Sequence, residues 1–211
     1  MNSFQLLFDI IHLKKNKELS LPQTQATFKA FVDAIFPRTH EEPSGALDLH
    51  TEEFLIWVLD HLLSLTIVKK NVNIPMANVT AEMLNIAAKE LIDKGENKKS
   101  VNPDIMQEKG VFAALDPSDR FRTISLLEEL RLDLANLPVP FWNNSGVVLA
   151  ITSVLTLLTV FGHYSEWCAY DSTKLETVEK RIIQEFPVSW KEVGYPGPSK
   201  GYRAFRGYLI E

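Results

Sequence analysis

Apolar residues recur every three or four positions along most of the chain, which is the spacing of an amphipathic helix. The clearest stripe runs from Phe28 to Phe36. Pro37 is predicted to end this helix, because proline disfavours helical geometry in the residue before it. Similar stripes predict further helices over residues 4–11, 54–65, 84–92, 124–134, 146–161 and 175–186. We therefore expect a mainly helical protein.

Residues that start or stop helices flank these stripes. Thr, Asp and Asn side chains accept hydrogen bonds from the first backbone N–H groups of a helix, and Gly favours the turn that ends one. The predicted starts are Thr51, Thr80, Asp116 with Pro117, Asn144 or Ser145, and Thr173 with Glu176 in a capping box. The predicted stops are Gly95 and Gly162.

No segment alternates apolar and polar residues over the length of a strand, which disfavours a sheet. We predict an all-α fold: a helical bundle of about six to eight helices, in a single domain that spans residues 1–211. Residues 187–211 are rich in Gly, Pro and aromatic residues. They are predicted to form an extended tail that wraps the domain.

The longest apolar stretch without charges runs from Gly146 to Gly162. It is shorter than the roughly 20 residues that cross a bilayer, so it is predicted to be a core helix and not a membrane span. The N-terminal residues contain no basic leader and no twin-arginine pair. We therefore expect a cytoplasmic location, with export only if a partner carries the signal.

The chain has 211 residues and a formal net charge of -5. A modestly acidic protein lacks the many Lys and Arg contacts that a nucleic-acid backbone requires, so nucleic acid is not an expected partner. The single cysteine, Cys168, excludes an internal disulfide and a CxxC pair. His163 is close to it in sequence, but no Gly-rich turn exposes the sulfur, and Cys168 is predicted to be a small apolar filler.

The sequence contains no GxGxxG, phosphate-loop, GxSxG or CxxCH motif, so no catalytic or cofactor-binding residue is predicted. A metal site would need several converging ligands. One loop contains candidates, namely His40, Glu41, Glu42, Asp48 and His50. Their spacing matches no defined site, so no metal site is predicted. His61 lies on an apolar helical face and is predicted to be a core histidine.

The most distinctive residues follow the apolar stretch. They are Gly162-His163-Tyr164-Ser165, then Trp190, then Gly194-Tyr195-Pro196-Gly197-Pro198, and finally Gly201-Tyr202. Glycine permits positive φ where a chain turns, proline holds the backbone extended, and Tyr and Trp provide large contact areas with a polar tip. Such a segment is rigid without being helix or sheet. It either clamps its own domain or presents a surface to a partner.

These motifs resemble those of the small subunit (subunit 3) family of gluconate 2-dehydrogenase, and the early helix ending in Ile35-Phe36-Pro37 is similar to the family's opening. The resemblance implies a non-catalytic accessory subunit that supports assembly of a flavin-dependent sugar or sugar-acid dehydrogenase. FAD is then expected in the partner and no cofactor in this chain, and a cytochrome subunit is a further candidate partner. The residues expected to bind the partner are Tyr164, Trp190, Tyr195, Pro196, Gly197, Pro198 and Tyr202.

Two other functions stay open. One is a stand-alone helical interaction or structural protein that keeps only the family fold and has either a self-contained surface or a symmetric homodimer interface. The other is a metal-binding protein that uses the loop from His40 to His50. The accessory-subunit hypothesis predicts an exposed apolar patch, on the order of several hundred Å², near the tail.

Overall fold

A computed structural model of the chain describes residues 21–38, 44–63, 65–67 and 72–197. The α-helices of this part are α1 (Leu21–Ile35), α2 (Thr51–His61), α3 (Ala77–Asp93), α4 (Pro103–Lys109), α5 (Val111–Ala114), α6 (Pro117–Glu128), α7 (Ser145–His163) and α8 (Val188–Glu192). Short 3-10 helices cover Leu134–Asn136, Trp167–Thr173 and Val178–Lys180, and strands β1 (Leu65–Ile67) and β2 (Val72–Ile74) pair antiparallel. The predicted all-α bundle is confirmed. The helix predicted over residues 4–11 lies outside the described residues.

Helix α1 lies at the centre of the bundle and packs against each of the helices α2 to α7. Its apolar stripe explains this position, because Phe28, Phe31 and Val32 are completely buried. The ring of Phe31 stacks on Phe112 of α5, with 6.3 Å between the ring centroids. Burial of a large apolar side chain contributes about 1.5–3 kcal/mol, so this stripe is a main source of the stability of the fold.

Polar side chains fix the positions of the helices around α1. Asn85 of α3 donates from Nδ2 to Thr27 Oγ1 (3.1 Å) and accepts at Oδ1 from the Phe112 N–H (3.0 Å), so it joins α1, α3 and α5. Arg120 of α6 donates to Asp33 Oδ2 of α1 at 3.0 Å. Hydrogen bonds depend on direction as well as distance, so these contacts restrict sliding of the helices.

Several predicted helix ends are confirmed. Helix α1 ends two residues before Pro37. Asp116 accepts a hydrogen bond from the Ser118 N–H and caps α6. The Asp116 carboxylate also accepts a hydrogen bond from Lys99, and this contact is the main reason that the pKa of Asp116 is lowered to about 2. Helix α3 ends just before Gly95, which has a φ of 66°.

The predicted caps Thr51 and Thr80 are wrong. His50, in the left-handed region with a φ of 52°, precedes α2, and Thr51 is the first residue inside that helix. Helix α3 begins at Ala77, whose N–H donates to Asp60 Oδ1 of α2 at 2.8 Å. A carboxylate from a neighbouring helix therefore provides the cap that a local threonine was predicted to provide.

Helix α2 is shorter than predicted. It ends at His61, and Leu65 begins β1 instead of continuing the helix. Each strand of the hairpin has three residues, which is too short for an alternating pattern to be recognised in a sequence. His61 is exposed, with its Nδ1 atom 2.9 Å from the carbonyl oxygen of Trp57, so the predicted core histidine is wrong.

The helix predicted over residues 175–186, with its capping box at Thr173, is wrong. Thr173 ends a 3-10 helix, and the following residues form turns and irregular backbone around one short 3-10 helix. The apolar side chains that this helix would have buried are exposed: Leu175, Ile182, Ile183 and Phe186. The predicted tail is also not extended throughout, because its described part contains α8.

We predict that Phe31→Ala lowers the free energy of unfolding by about 3–5 kcal/mol, the usual cost of removing a buried phenylalanine ring. The matched control is Phe121→Ala, because Phe121 lies on α6 and is exposed, and it should change stability by less than about 0.5 kcal/mol. Urea unfolding of the two variants measures both values. Equal effects would contradict the central role of α1.

Candidate interaction surface

Helix α7 starts where the sequence predicts. Asn144 Oδ1 accepts a hydrogen bond from the Val147 N–H at 3.3 Å and caps the helix. The helix continues past the predicted stop, Gly162, and ends at His163. Helices α2 and α6 cover one of its faces.

The face of α7 that packs against the bundle contains polar residues. Its buried members are Val148, Thr152, Leu155, Thr159, Gly162 and His163. The hydroxyls of the two threonines donate to the carbonyls of Val148 and Leu155 one turn earlier, both at 2.8 Å. These bonds satisfy each hydroxyl within the helix, so threonine can be buried without a partner on another helix.

The opposite face of α7 is exposed to solvent and mostly apolar, with Ser153 as its polar residue between Leu149 and Leu157. Its members are Leu149, Leu157, Val160 and Phe161, followed just after the helix by Tyr164. Leu157 is 66% and Phe161 is 61% exposed. A helix on the surface of a globular protein normally turns its polar residues outward. In α7 the outward face instead contains Leu and Phe, while the buried face contains Thr152 and Thr159 beside Val148 and Leu155.

The prediction of a core helix is therefore wrong for half of α7. By length and composition alone, the helix is long and apolar enough to cross a membrane. Its contacts with α2 and α6 account for only one side of it. The apolar character of the other side needs an explanation outside the described bundle.

Helices α7 and α2 approach each other closely at Gly162. A Cβ atom at this position would lie 2.5 Å from Cδ1 of Phe54 in α2. Phe54 also packs against Phe161 and Trp167, with ring centroids 5.9 and 5.4 Å away. Gly162 was predicted to stop the helix, but the structure requires it for close packing inside the helix.

The turn after α7 anchors the C-terminal motif. Ser165 Oγ donates to the Gly162 carbonyl at 2.9 Å, and Trp190 Nε1 donates to the Tyr164 carbonyl at 2.8 Å. Trp190 is only 8% exposed, and Tyr195 packs edge-on against it with 4.9 Å between ring centroids. The two parts of the motif, distant in sequence, therefore meet at the C-terminal end of α7.

Gly197 is the last described residue of the motif. Its φ of 85° is rarely adopted by residues with a side chain. It is buried, and a Cβ atom here would meet Phe186 and Trp190. Phe186 in turn contacts Trp190 edge-on, with 5.6 Å between ring centroids. Trp190 is thus the centre around which the motif packs.

The structure brings the predicted partner-binding residues together but gives them different roles. Trp190 and Gly197 are buried and hold the motif on α7. Tyr164 and Tyr195 are 42% and 44% exposed, and Pro196 is exposed as well, so these three can contact a partner. The other two predicted residues, Pro198 and Tyr202, lie outside the described residues.

The exposed face of α7 ends beside this motif. Tyr164 lies one turn beyond Phe161, its carbonyl binds Trp190, and Trp190 contacts both Phe186 and Tyr195. We call these exposed apolar side chains the α7 surface; they are Leu149, Leu157, Val160, Phe161, Tyr164, Phe186 and Tyr195.

The structure gives packing roles to the two residues considered for nucleophilic chemistry, Cys168 and His163. Cys168 is half-buried, and burial raises the pKa of its thiol, which disfavours the reactive thiolate. The ring of His163 stacks face to face on Phe36, with 4.4 Å between centroids. Both observations favour a structural role.

The candidate metal ligands Asp48 and His50 of the predicted loop have different surroundings in the structure. Asp48 pairs with Arg38 at 3.1 Å and accepts from the Gly45 N–H at 2.9 Å, so it belongs to the loop's own hydrogen bonds. His50 instead faces Glu52 and Glu53 of α2. The remaining candidates, His40, Glu41 and Glu42, lie outside the described residues.

Comparison with protein families, with curated proteins and with solved structures found no match for this chain. The likeness to the small subunit of gluconate 2-dehydrogenase therefore rests on the motif residues themselves. It stays a prediction.

We predict that Trp190→Phe lowers the free energy of unfolding by about 1–2 kcal/mol, because it removes the hydrogen bond to the Tyr164 carbonyl from a buried site. Trp142→Phe is the matched control, since Trp142 is exposed, and it should have almost no effect. Urea unfolding measures the difference. A loss no larger than that of Trp142→Phe would show that Trp190 does not anchor the motif.

Proposed function

We propose that this protein is a non-catalytic accessory subunit that binds a flavin-dependent sugar or sugar-acid dehydrogenase through the α7 surface. The observation that carries the proposal is the outward face of α7, where large apolar residues, Leu157 and Phe161 above all, are exposed. In this proposal the flavin belongs to the partner. A cytochrome subunit completes the complex, and the chain itself does not cross the membrane.

The energetics of the exposed face support a partner. Each large apolar side chain that moves from water into an interface contributes about 1.5–3 kcal/mol. Continuous apolar patches on soluble proteins commonly mark interaction sites, whereas scattered apolar residues do not. Helical spacing places Leu157, Phe161 and Tyr164 next to one another, as in a continuous patch.

The position of the motif supports the kind of partner. The residues that resemble the dehydrogenase small subunit, from Gly162 to Ser165 and from Gly194 to Gly197, lie at the end of α7 and border its exposed face. Tyr164 and Tyr195 provide large contact areas with a hydroxyl tip, a combination enriched at interfaces. In this proposal the motif and the apolar face contact the same partner.

The test is co-expression with a flavin-dependent dehydrogenase encoded beside this protein. We expect the tagged chain to copurify with the dehydrogenase, measured as flavin absorbance per chain. Phe161→Glu should lower the recovered flavin at least about tenfold, because an unpaired charge in an apolar interface costs more than 1.4 kcal/mol. Phe121→Glu, at an exposed phenylalanine on α6, should leave the recovery unchanged.

Light scattering on the isolated chain separates this proposal from the stand-alone alternative. A tight homodimer that Phe161→Glu dissociates, together with no copurifying dehydrogenase, would mean that a second copy covers the α7 surface. That result would replace the accessory subunit with a self-associating helical protein.

A further inference from the structure

Three potential metal ligands meet at the first turn of α2, away from the C-terminal motif. They are His50, Glu52 and Glu53, and one ligand atom from each lies within 4.8 Å of the other two. His50 Nδ1 is 3.9 Å from Glu52 Oε1 and 3.8 Å from Glu53 Oε1. Two ligands on one zinc ion at 2.0–2.2 Å in tetrahedral geometry lie about 3.4 Å apart. Small side-chain rotations therefore suffice to bring the three atoms to one ion.

The burial of Glu52 distinguishes this group from an ordinary acidic helix start. Acids in the first turn are favoured by the helix dipole and normally remain in water. Glu52 is only 3% exposed, and its Oε2 atom is buried without a hydrogen-bond partner. Burial is also the largest cause of the raised pKa of this carboxyl. A buried carboxylate oxygen without a partner is costly unless a cation or a proton compensates it.

The nearby cations leave room for a metal ion. Lys174 Nζ is 3.4 Å from Glu53 Oε2, so it occupies the oxygen of Glu53 that does not face His50. Lys29 lowers the pKa of Glu52 through its charge, but less than burial raises it. The side of the cluster formed by His50 Nδ1 and the two Oε1 atoms is accessible, because the side chains of His50 and Glu53 are about half exposed.

We propose that His50, Glu52 and Glu53 bind one divalent transition-metal ion of the zinc class. One imidazole nitrogen with two carboxylate oxygens suits Zn²⁺, whereas Mg²⁺ and Ca²⁺ prefer sites made of oxygen alone. Glu52 binds the ion through Oε1, and the ion thereby neutralises the charge of a buried carboxylate whose other oxygen, Oε2, has no hydrogen-bond partner. His50 and Glu53 close the site from the solvent side, where water can complete the coordination. The site shares no residue with the α7 surface.

The test is calorimetric titration of the untagged full-length protein with Zn²⁺. We expect one ion per chain in the wild type. His50→Ala and Glu52→Gln should each weaken binding by at least about tenfold, as loss of groups around bound metals typically does. His61→Ala is the matched control, because His61 is an exposed histidine at the other end of α2 beside Asp60. The Zn²⁺ affinity of this variant should equal that of the wild type.

Thermal unfolding gives a second readout that does not depend on the titration. Zn²⁺ at a hundredfold excess over its dissociation constant should raise the wild-type Tm by about 5–10 °C, and that of Glu52→Gln by far less. Glu52→Gln keeps the shape of the side chain and removes only its charge, so it is expected to fold. Zn²⁺ affinity unchanged in both variants, or displacement of Zn²⁺ by an equal concentration of Mg²⁺, would overturn the proposal.

Discussion

The constraint on which the rest of the structure depends is the complete burial of the apolar stripe of α1. Phe28, Phe31 and Val32 lose all contact with water only because the helices α2 to α7 all pack against α1. A single central helix offers each neighbour a limited area. Helix α7 therefore has its own contacts with α2 and α6 on one side only, and its remaining surface has no place inside the described bundle.

Polar contacts convert this packing into a defined arrangement. Hydrophobic burial alone is non-directional and would allow the helices to slide. Asn85 binds groups on both α1 and α5, and Arg120 bridges α6 to Asp33. The buried carboxylate of Asp119 accepts from the N–H groups of Lys98 and the residue after it, which fixes the loop before α4 to α6. These hydrogen bonds restrict the helices against which α7 packs, and so fix the position of its exposed face.

The parts of the fold that the sequence predicted are those with strong local signals. The helix ends set by Pro37, by the Asp116-Pro117 pair and by Asn144 are confirmed, because each signal acts within one helical turn. Helix α6 nevertheless ends at Glu128 and not at the predicted Leu134, and Leu130 beyond it has a φ of 53°. The cap of α3 comes from Asp60, a residue distant in sequence, so no local pattern could identify it. The stripe from Leu175 to Phe186 has helical spacing, yet its apolar side chains are exposed. Periodicity does not reveal whether another part of the protein is available to cover such a stripe. For the same reason hydropathy could not separate the core face of α7 from its outward face, although the motif around Trp190 was found from its residue types.

The start of α2 links the two surfaces of this protein. Glu52 and Glu53 lie in the first turn of α2, and Phe54 follows them directly. Phe54 fills the space that Gly162 leaves open and packs against Phe161, so the first turn of α2 supports the end of α7 where the α7 surface meets the motif. An uncompensated Glu52 would favour fraying of that turn, because the carboxylate gains hydration when the turn opens. A cation at Glu52 removes this gain. Occupancy of the cluster would therefore stabilise the turn that positions Phe54, whose ring lies against Gly162, Phe161 and Trp167.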